Sequence, residues 1–253
     1  REGDWEIFRS TAFPERIGIS IRGKEFYRLG ISNAEVGRRI GEEFELFSHP
    51  VPGSWVVCFD EVRGDARMHE ILSRIVAITR VLHQDSLSEL KAKTRVLPDS
   101  TEVIRNVAQR VGQAMFRRMQ IEYWGGGCAV TGLNLVDVLR ASHMKPWADC
   151  ETDEERLDVY NGLLLAPHLD ALFDKGLITF SDDGRMIRSE QLTDEYMQLL
   201  GIDERAIRRV LFSDKHLKYL AWHRSKVFRG CPRDKSVLTE EVGLQVASGV
   251  ATV

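Results

Sequence analysis

The side chains best able to do chemistry cluster between residues 128 and 176. His143 stands in the run Ala141-Ser-His-Met-Lys-Pro-Trp147, Asn161 precedes Gly162, His168 and Asp170 follow Pro167 two residues apart, and Asp174 precedes Lys175-Gly176. An imidazole with an ordinary pKa near ~6.5 takes up a proton at neutral pH. A carboxylate is a hard oxygen donor suited to Mg²⁺ or Mn²⁺. Each residue also has a plainer use. A histidine at a strand end can be a hydrogen-bonded surface residue, Asn-Gly makes turns, Asp170 can be an exposed helix charge, and Asp174 can fix a helix end. Two positions along a regular helix turn by about 200°, so His168 and Asp170 address one ion only if His168 lies in an irregular first turn.

Several elements must position these residues. The apolar run over 128–132 reads as a short strand ending at a turn, and alternation with β-branched content predicts a second strand over 136–141 that delivers His143 to its end. A polar loop follows over 148–158. Pro167, whose missing N–H costs nothing in a first turn, starts a helix that Gly176 ends in the left-handed conformation. The Asp-Gly turn at 183–184 joins a hairpin, and helices are predicted at 193–200, 204–211 and 214–228. Upstream, Val103, Ile104, Val107, Val111, Met115 and Met119 mark a long amphipathic helix that ends near Tyr123, before three consecutive glycines.

The first part of the chain carries core stripes and no assignable motif. Apolar runs at 17–21 and 55–59 suggest strands. Ser32 with Glu35 three residues on forms a capping box for a helix bearing Val36, Ile40 and Phe44, and a second helix is predicted over 66–83. Turn chemistry over 94–100 marks a linker. The expected organisation is a mixed α/β unit at 1–97 for target recognition or regulation, a second unit at 98–232, and a frayed tail at 233–253.

Strand, strand with a terminal histidine, loop, asparagine, then a short helix with a ligand-type residue is the layout of a ββα-metal nuclease site. Here the sequence resembles the HNH endonuclease family, in particular a subgroup patterned as CAVTG, ASHMKPW, NGLLL, LDALFDKGLITF and a late YLAWHR, over about residues 105–229. The resemblance implies an α+β fold, with a ββα-metal (HNH) nuclease domain and flanking helices preceded by a mixed α/β N-terminal domain. It implies His143 as general base and Asn161 as a second catalytic residue, which holds the loop over the site and can also approach the metal. Asp170 falls where the family's last histidine usually serves as metal ligand, and His168 is a second candidate ligand or phosphate contact. Ser142 stands where many members carry Asp, Glu or His. The implied cofactor is a divalent metal, Mg²⁺ first, with Mn²⁺ or Zn²⁺ as alternatives. The implied activity is hydrolysis of DNA phosphodiester bonds in a restriction or other bacterial defence system. Its alternatives are a non-catalytic nucleic-acid-binding module on a degenerate HNH fold and a nuclease acting on RNA or modified DNA.

Composition sets the outer limits. The chain has 253 residues, 43% hydrophobic and 29% charged, which excludes collagen-like, mucin-like and wholly disordered classes. No run approaches the ~18–20 apolar residues of a membrane span, and the first ten residues lack the apolar stretch of a signal peptide, so the expectation is a soluble, cytoplasmic protein with no membrane partner. Cys58, Cys128, Cys150 and Cys231 form no CxxC pair, which speaks against a disulfide framework or a four-cysteine zinc knuckle. The net charge of −3 is not the global signature of a nucleic-acid binder, but ten Lys and Arg between Arg205 and Lys235 face two acids. Arg140, Lys145, Lys215, Lys218, Arg224 and Lys226 are the candidate contacts to DNA. Cutting both strands calls for two sites, hence a homodimer as expected partner.

Overall fold

The computed structural model describes residues 4–11, 14–23, 25–49, 55–94 and 102–230, the side chains of 102–105 excepted. The predicted linker beyond Thr94 and the tail from 233 lie outside the described residues.

Strands β1 (Glu6–Arg9), β2 (Arg16–Arg22), β3 (Phe26–Ile31) and β4 (Val57–Arg63) form an antiparallel meander in that order. Side chains alternate along a strand, so Ile17, Leu29, Ile31 and Phe59 gather on one face. Two helices cover it, α1 (Ala34–Glu43) through Val36 and Ile40, and α2 (Asp65–His83) through Met68, Ile71, Ile75 and Ile78. Helix α1 starts one residue later than a Ser32 cap predicts. The Asn33 side chain accepts from the amides of Glu35 and Val36 at 3.0 and 3.1 Å, because the Ser32 hydroxyl is already taken by the Arg16 amide at 2.7 Å.

A second core is built around α4 (Glu102–Tyr123), about 33 Å long at 1.5 Å per residue. Its buried stripe runs through Met115, Phe116, Met119 and Tyr123, while Val107 is exposed. Val81 from α2 and Leu90 from α3 (Ser86–Thr94) join this core. The strand expected at 128–132 is a turn instead, pinned where the Ala129 amide donates to the Leu164 carbonyl at 2.8 Å. The next expected strand shortens to β5 (Arg140–His143), because Arg117 of α4 donates to the carbonyls of Val136 and Leu139 and bends 136–138 away from any ladder.

Strand β5 pairs with β6 (Gly162–Leu165), placing Ser142 opposite Leu163 and His143 opposite Gly162. The excursion between them holds α5 (Asp153–Leu157). Then come α6 (Pro167–Asp174), the hairpin β7 (Ile178–Phe180) and β8 (Met186–Arg188), α7 (Asp194–Leu199) and α8 (Asp214–Lys226). Of the helix predicted at 204–211 only a 3-10 turn, Glu204–Ala206, forms. The amides of Arg208 and Val210 donate instead to the carbonyls of Val130 and Gly184 at 2.8 and 2.9 Å. No helix among the described residues is long and apolar enough to cross a membrane.

Buried charge joins the two cores. Arg74 of α2 donates to the carbonyls of Glu122 and Tyr123, two of the orphan acceptors at the end of α4. It also reaches Glu43 of α1 at 2.7 Å. Arg39, 2% exposed, lies over the rings of Tyr123 and Trp124 at 4.1 and 4.5 Å and sits 3.0 Å from the same Glu43. Glu35 accepts from the Tyr160 hydroxyl at 2.9 Å.

Candidate active site

The end of β5, the face of α4 and the helix α6 enclose an open cavity of about 560 Å³. Successive side chains leave a strand on opposite sides. Ser142 therefore turns to α6, its hydroxyl donating to Asp174 at 3.1 Å, while His143 turns to α4 and stacks on Phe116 with ring centroids 3.7 Å apart and planes 15° from parallel. Trp147 meets His143 edge-on at 5.8 Å. Room for Trp147 comes from Gly112, where any Cβ would strike the indole.

The His143 ring has a defined tautomer. Nε2 lies 3.0 Å from the Arg156 carbonyl, which can only accept, so Nε2 carries the hydrogen and Nδ1 keeps the lone pair. Burial pushes the imidazole down to about 4, against a smaller upward effect of the carbonyl bond. The ring is thus neutral and able to accept a proton at pH 7. Arg156 itself is held by the carbonyls of Trp147 and Cys150 and by Asp153, so the acceptor that sets the tautomer is fixed by the loop around it.

Two carboxylates share the cavity. Asp170 and Asp174 are one helical turn apart on α6, so they project from one face. Burial raises the pKa of both, and the Asp174 charge raises Asp170 further, while Ser142 lowers both. Two carboxyl groups partly withdrawn from water beside a hydroxyl make an oxygen donor set, which fits Mg²⁺ or Mn²⁺ better than zinc. No group of three or more His, Cys, Asp or Glu that could hold a metal occurs among the described residues. Water would therefore complete the coordination of a cation held here, as is usual for Mg²⁺. Asp174 escapes a sequence reading fixed on single positions, although its four-residue spacing from Asp170 is a visible signal.

The other predicted site residues fall elsewhere. Asn161 is fully buried and all its polar atoms are engaged. Its oxygen accepts from the Lys145 amide at 2.8 Å, and its nitrogen donates to the carbonyls of Lys145 and Glu155 and to the Cys150 sulfur. It holds the loop and does not border the cavity. His168 does not border the cavity. Helix α6 is regular from its first turn, with the Asp170 amide on the Ala166 carbonyl at 2.9 Å, so the 200° separation stands. His223 borders the cavity, but Phe173 and Thr179 occupy its two ring nitrogens.

The predicted DNA contacts separate in the same way. Arg140 lines the cavity together with Lys175, and Lys226 is exposed next to Val227, which also lines it. Lys145 is 9% exposed and bonded to Glu155 at 2.8 Å. Arg224 is committed to the Phe180 carbonyl and Asp182. Lys215 and Lys218 pair with Glu35 at 3.6 Å and Asp158 at 3.5 Å, away from the cavity.

A strand-borne histidine with one nitrogen tied to a loop carbonyl, opposite carboxylates on the helix that follows the second strand, is a ββα arrangement. Residues 128–181 match the sequence profile of the HNH endonuclease family. The matched segment contains β5, β6, α6 and β7, and with them His143, Asp170 and Asp174. An HNH unit suggests a nuclease, and HNH nucleases generally use divalent metals. Comparison with curated proteins found no match.

Proposed function

We propose that the chain is a metal-dependent DNA endonuclease whose HNH unit hydrolyses phosphodiester bonds, with residues 1–97 as the module that reads the target in a restriction or other defence setting. The observation that carries the reading is one cavity bordered both by the neutral, tautomer-fixed His143 and by the Asp170–Asp174 pair. Nδ1 of His143 is the acceptor for a proton from the attacking water. The stack on Phe116 and the Arg156 carbonyl keep the ring from turning, so the lone pair stays aimed. Asp170 and Asp174 would hold a Mg²⁺ or Mn²⁺ ion, which supplies charge stabilisation at the phosphate when bound. Ser142 orients Asp174 for that purpose, and Arg140 and Lys175 offer positive charge to the phosphates on either side.

An imidazole with a pKa near 4 is a weak base, which is a cost of burying it. An incoming phosphate brings negative charge close to the ring and favours the imidazolium, so His143 becomes more basic when substrate is in place. Incubation of supercoiled plasmid with purified protein in Mg²⁺, Mn²⁺ or EDTA tests the reading. The expected result is metal-dependent nicking that falls on the order of 10²–10⁴-fold in His143→Ala. Equal cutting by that variant, or cutting in EDTA, removes the site from consideration.

A further inference from the structure

The side of the β1–β4 sheet away from α1 and α2 carries a pattern that core packing does not require. Alternation places Arg9, Arg16, Arg22, Arg28 and Arg63 on this side. Arg9 and Arg16 are direct cross-strand partners. At the other end, Arg22 and Arg63 flank Phe26 in register, with Arg63 over the Phe26 ring at 5.9 Å. Between the ends, the cross-strand glycines Gly18 and Gly30 leave a floor on which the Trp55 ring lies, and a Cβ at either would strike it. Trp5 sits 5.5 Å from Trp55, with Arg28 over Trp5 at 4.9 Å and Arg16 over Trp55 at 5.6 Å. Among the described residues the acids on this side are Asp60, bound to Arg28 at 2.8 Å, Glu25, 3.5 Å from Arg63 at the exposed sheet end, and Glu61, in the bulge of β4.

We propose that this arginine-lined sheet face binds the phosphate backbone of duplex DNA, a second docking surface of a chain whose first is the nuclease cavity; the choice of DNA rests on the reading of that cavity. Charge complementarity is the argument. A chain with a net charge of −3 places five arginines on one face of a four-stranded sheet, and stacking on tryptophan pre-orients guanidinium groups for bidentate contact with phosphate. From Arg16 to Arg22 the stripe runs about 20 Å along β2, about the length of six phosphates of one strand. The pattern Arg-aromatic-Arg across three strands also leaves the exposed Phe26 within reach of the sugar edge.

The test measures fluorescence anisotropy of a labelled DNA duplex against the full chain carrying His143→Ala, over a series of salt concentrations. Its triple variant Arg16→Ala, Arg22→Ala, Arg63→Ala is expected to bind at least tenfold more weakly, with the slope of log K against log salt reduced by roughly 0.9 for each phosphate that is no longer neutralised. A triple lysine variant is expected to keep most of that slope. If the triple alanine variant unfolds, Arg22→Glu, a single change at an exposed position, gives the same reading on a smaller scale. Unchanged affinity and slope in the alanine variants overturn the proposal, as does absence of DNA binding by the parent or tighter binding of the matching RNA duplex. The nuclease reading is judged separately, with His143 intact. Binding through this face without metal-dependent cutting keeps the face and sinks the nuclease, and cutting with arginine-independent binding does the reverse.

Discussion

At the scale of single residues, the cavity separates groups that face it from groups that hold the fold around it. His143, Asp170 and Asp174 border the cavity, whereas Asn161 is spent on the loop that carries Lys145, Cys150 and Glu155. These two kinds of residue respond differently to substitution. Asn161→Ala leaves a buried amide and two carbonyls without partners, at a cost of about 2–4 kcal/mol, measurable by urea unfolding, while Mn²⁺ affinity of the folded variant stays near that of the parent. Asp170→Asn and Asp174→Asn relieve a crowded carboxyl pair and so are expected to leave stability unchanged or slightly raised. Each is expected to weaken Mn²⁺ binding by on the order of tenfold or more, read by calorimetry. A loss of Mn²⁺ binding in Asn161→Ala with the loop intact would return that side chain to the metal. The sequence made His143 and Asp170 visible through type and spacing. It hid the Arg156 carbonyl, because a backbone acceptor on a loop leaves no mark in residue type.

At the scale of elements, α4 is the part that organises the cavity. Gly112, Phe116 and Gln120 recur every four residues on one face, and they take up Trp147, stack on His143 and bond the Val159 carbonyl at 2.7 Å. Gly112→Ala therefore sets two effects against each other. Alanine raises helix propensity by about 1 kcal/mol, but its Cβ strikes an indole ring packed against the site, and overpacking costs about 1–3 kcal/mol. The steric effect is expected to win, because the indole is wedged between α4 and His143. The expected outcome is a lower unfolding free energy and at least a tenfold drop in kcat; a more stable, fully active variant would show that Trp147 moves without carrying the histidine along. Helices and the β7–β8 hairpin were legible because period and turn residues are local signals. The strand predicted at 128–132 and the helix predicted at 204–211 were not, because their backbone partners, Leu164, Val130 and Gly184, lie far along the chain and outweigh local preference.

At the scale of the whole molecule, charge and the buried His216 meet where the two cores join, and three buried histidines make stability depend on pH. His216 lies among Tyr123, Trp124, Tyr160 and Phe212, next to the Arg39 that crosses from α1. Burial, with Arg39 adding to it, lowers its pKa to about 3, and burial lowers His143 and His223 to about 4. In the unfolded chain these rings titrate near the ordinary ~6.5. Between that value and the folded ones, the unfolded chain binds protons that the native state refuses. Stability therefore falls as pH falls, by at most about 1.4 kcal/mol per pH unit for each ring. Asp170 and Asp174 act in the opposite sense, since their raised pKa values let the native state take protons first, but only nearer the carboxylate range. The net expectation is a loss that begins below about pH 6.5 and steepens toward pH 5, seen as a falling urea midpoint with unchanged m-value. His216→Gln removes one of the three rings, so the slope is expected to flatten by about a third. A midpoint constant from about pH 7 to pH 5 would mean that the native state admits protons at these rings, and with it that the contact between α1 and the second core opens readily enough to hydrate His216.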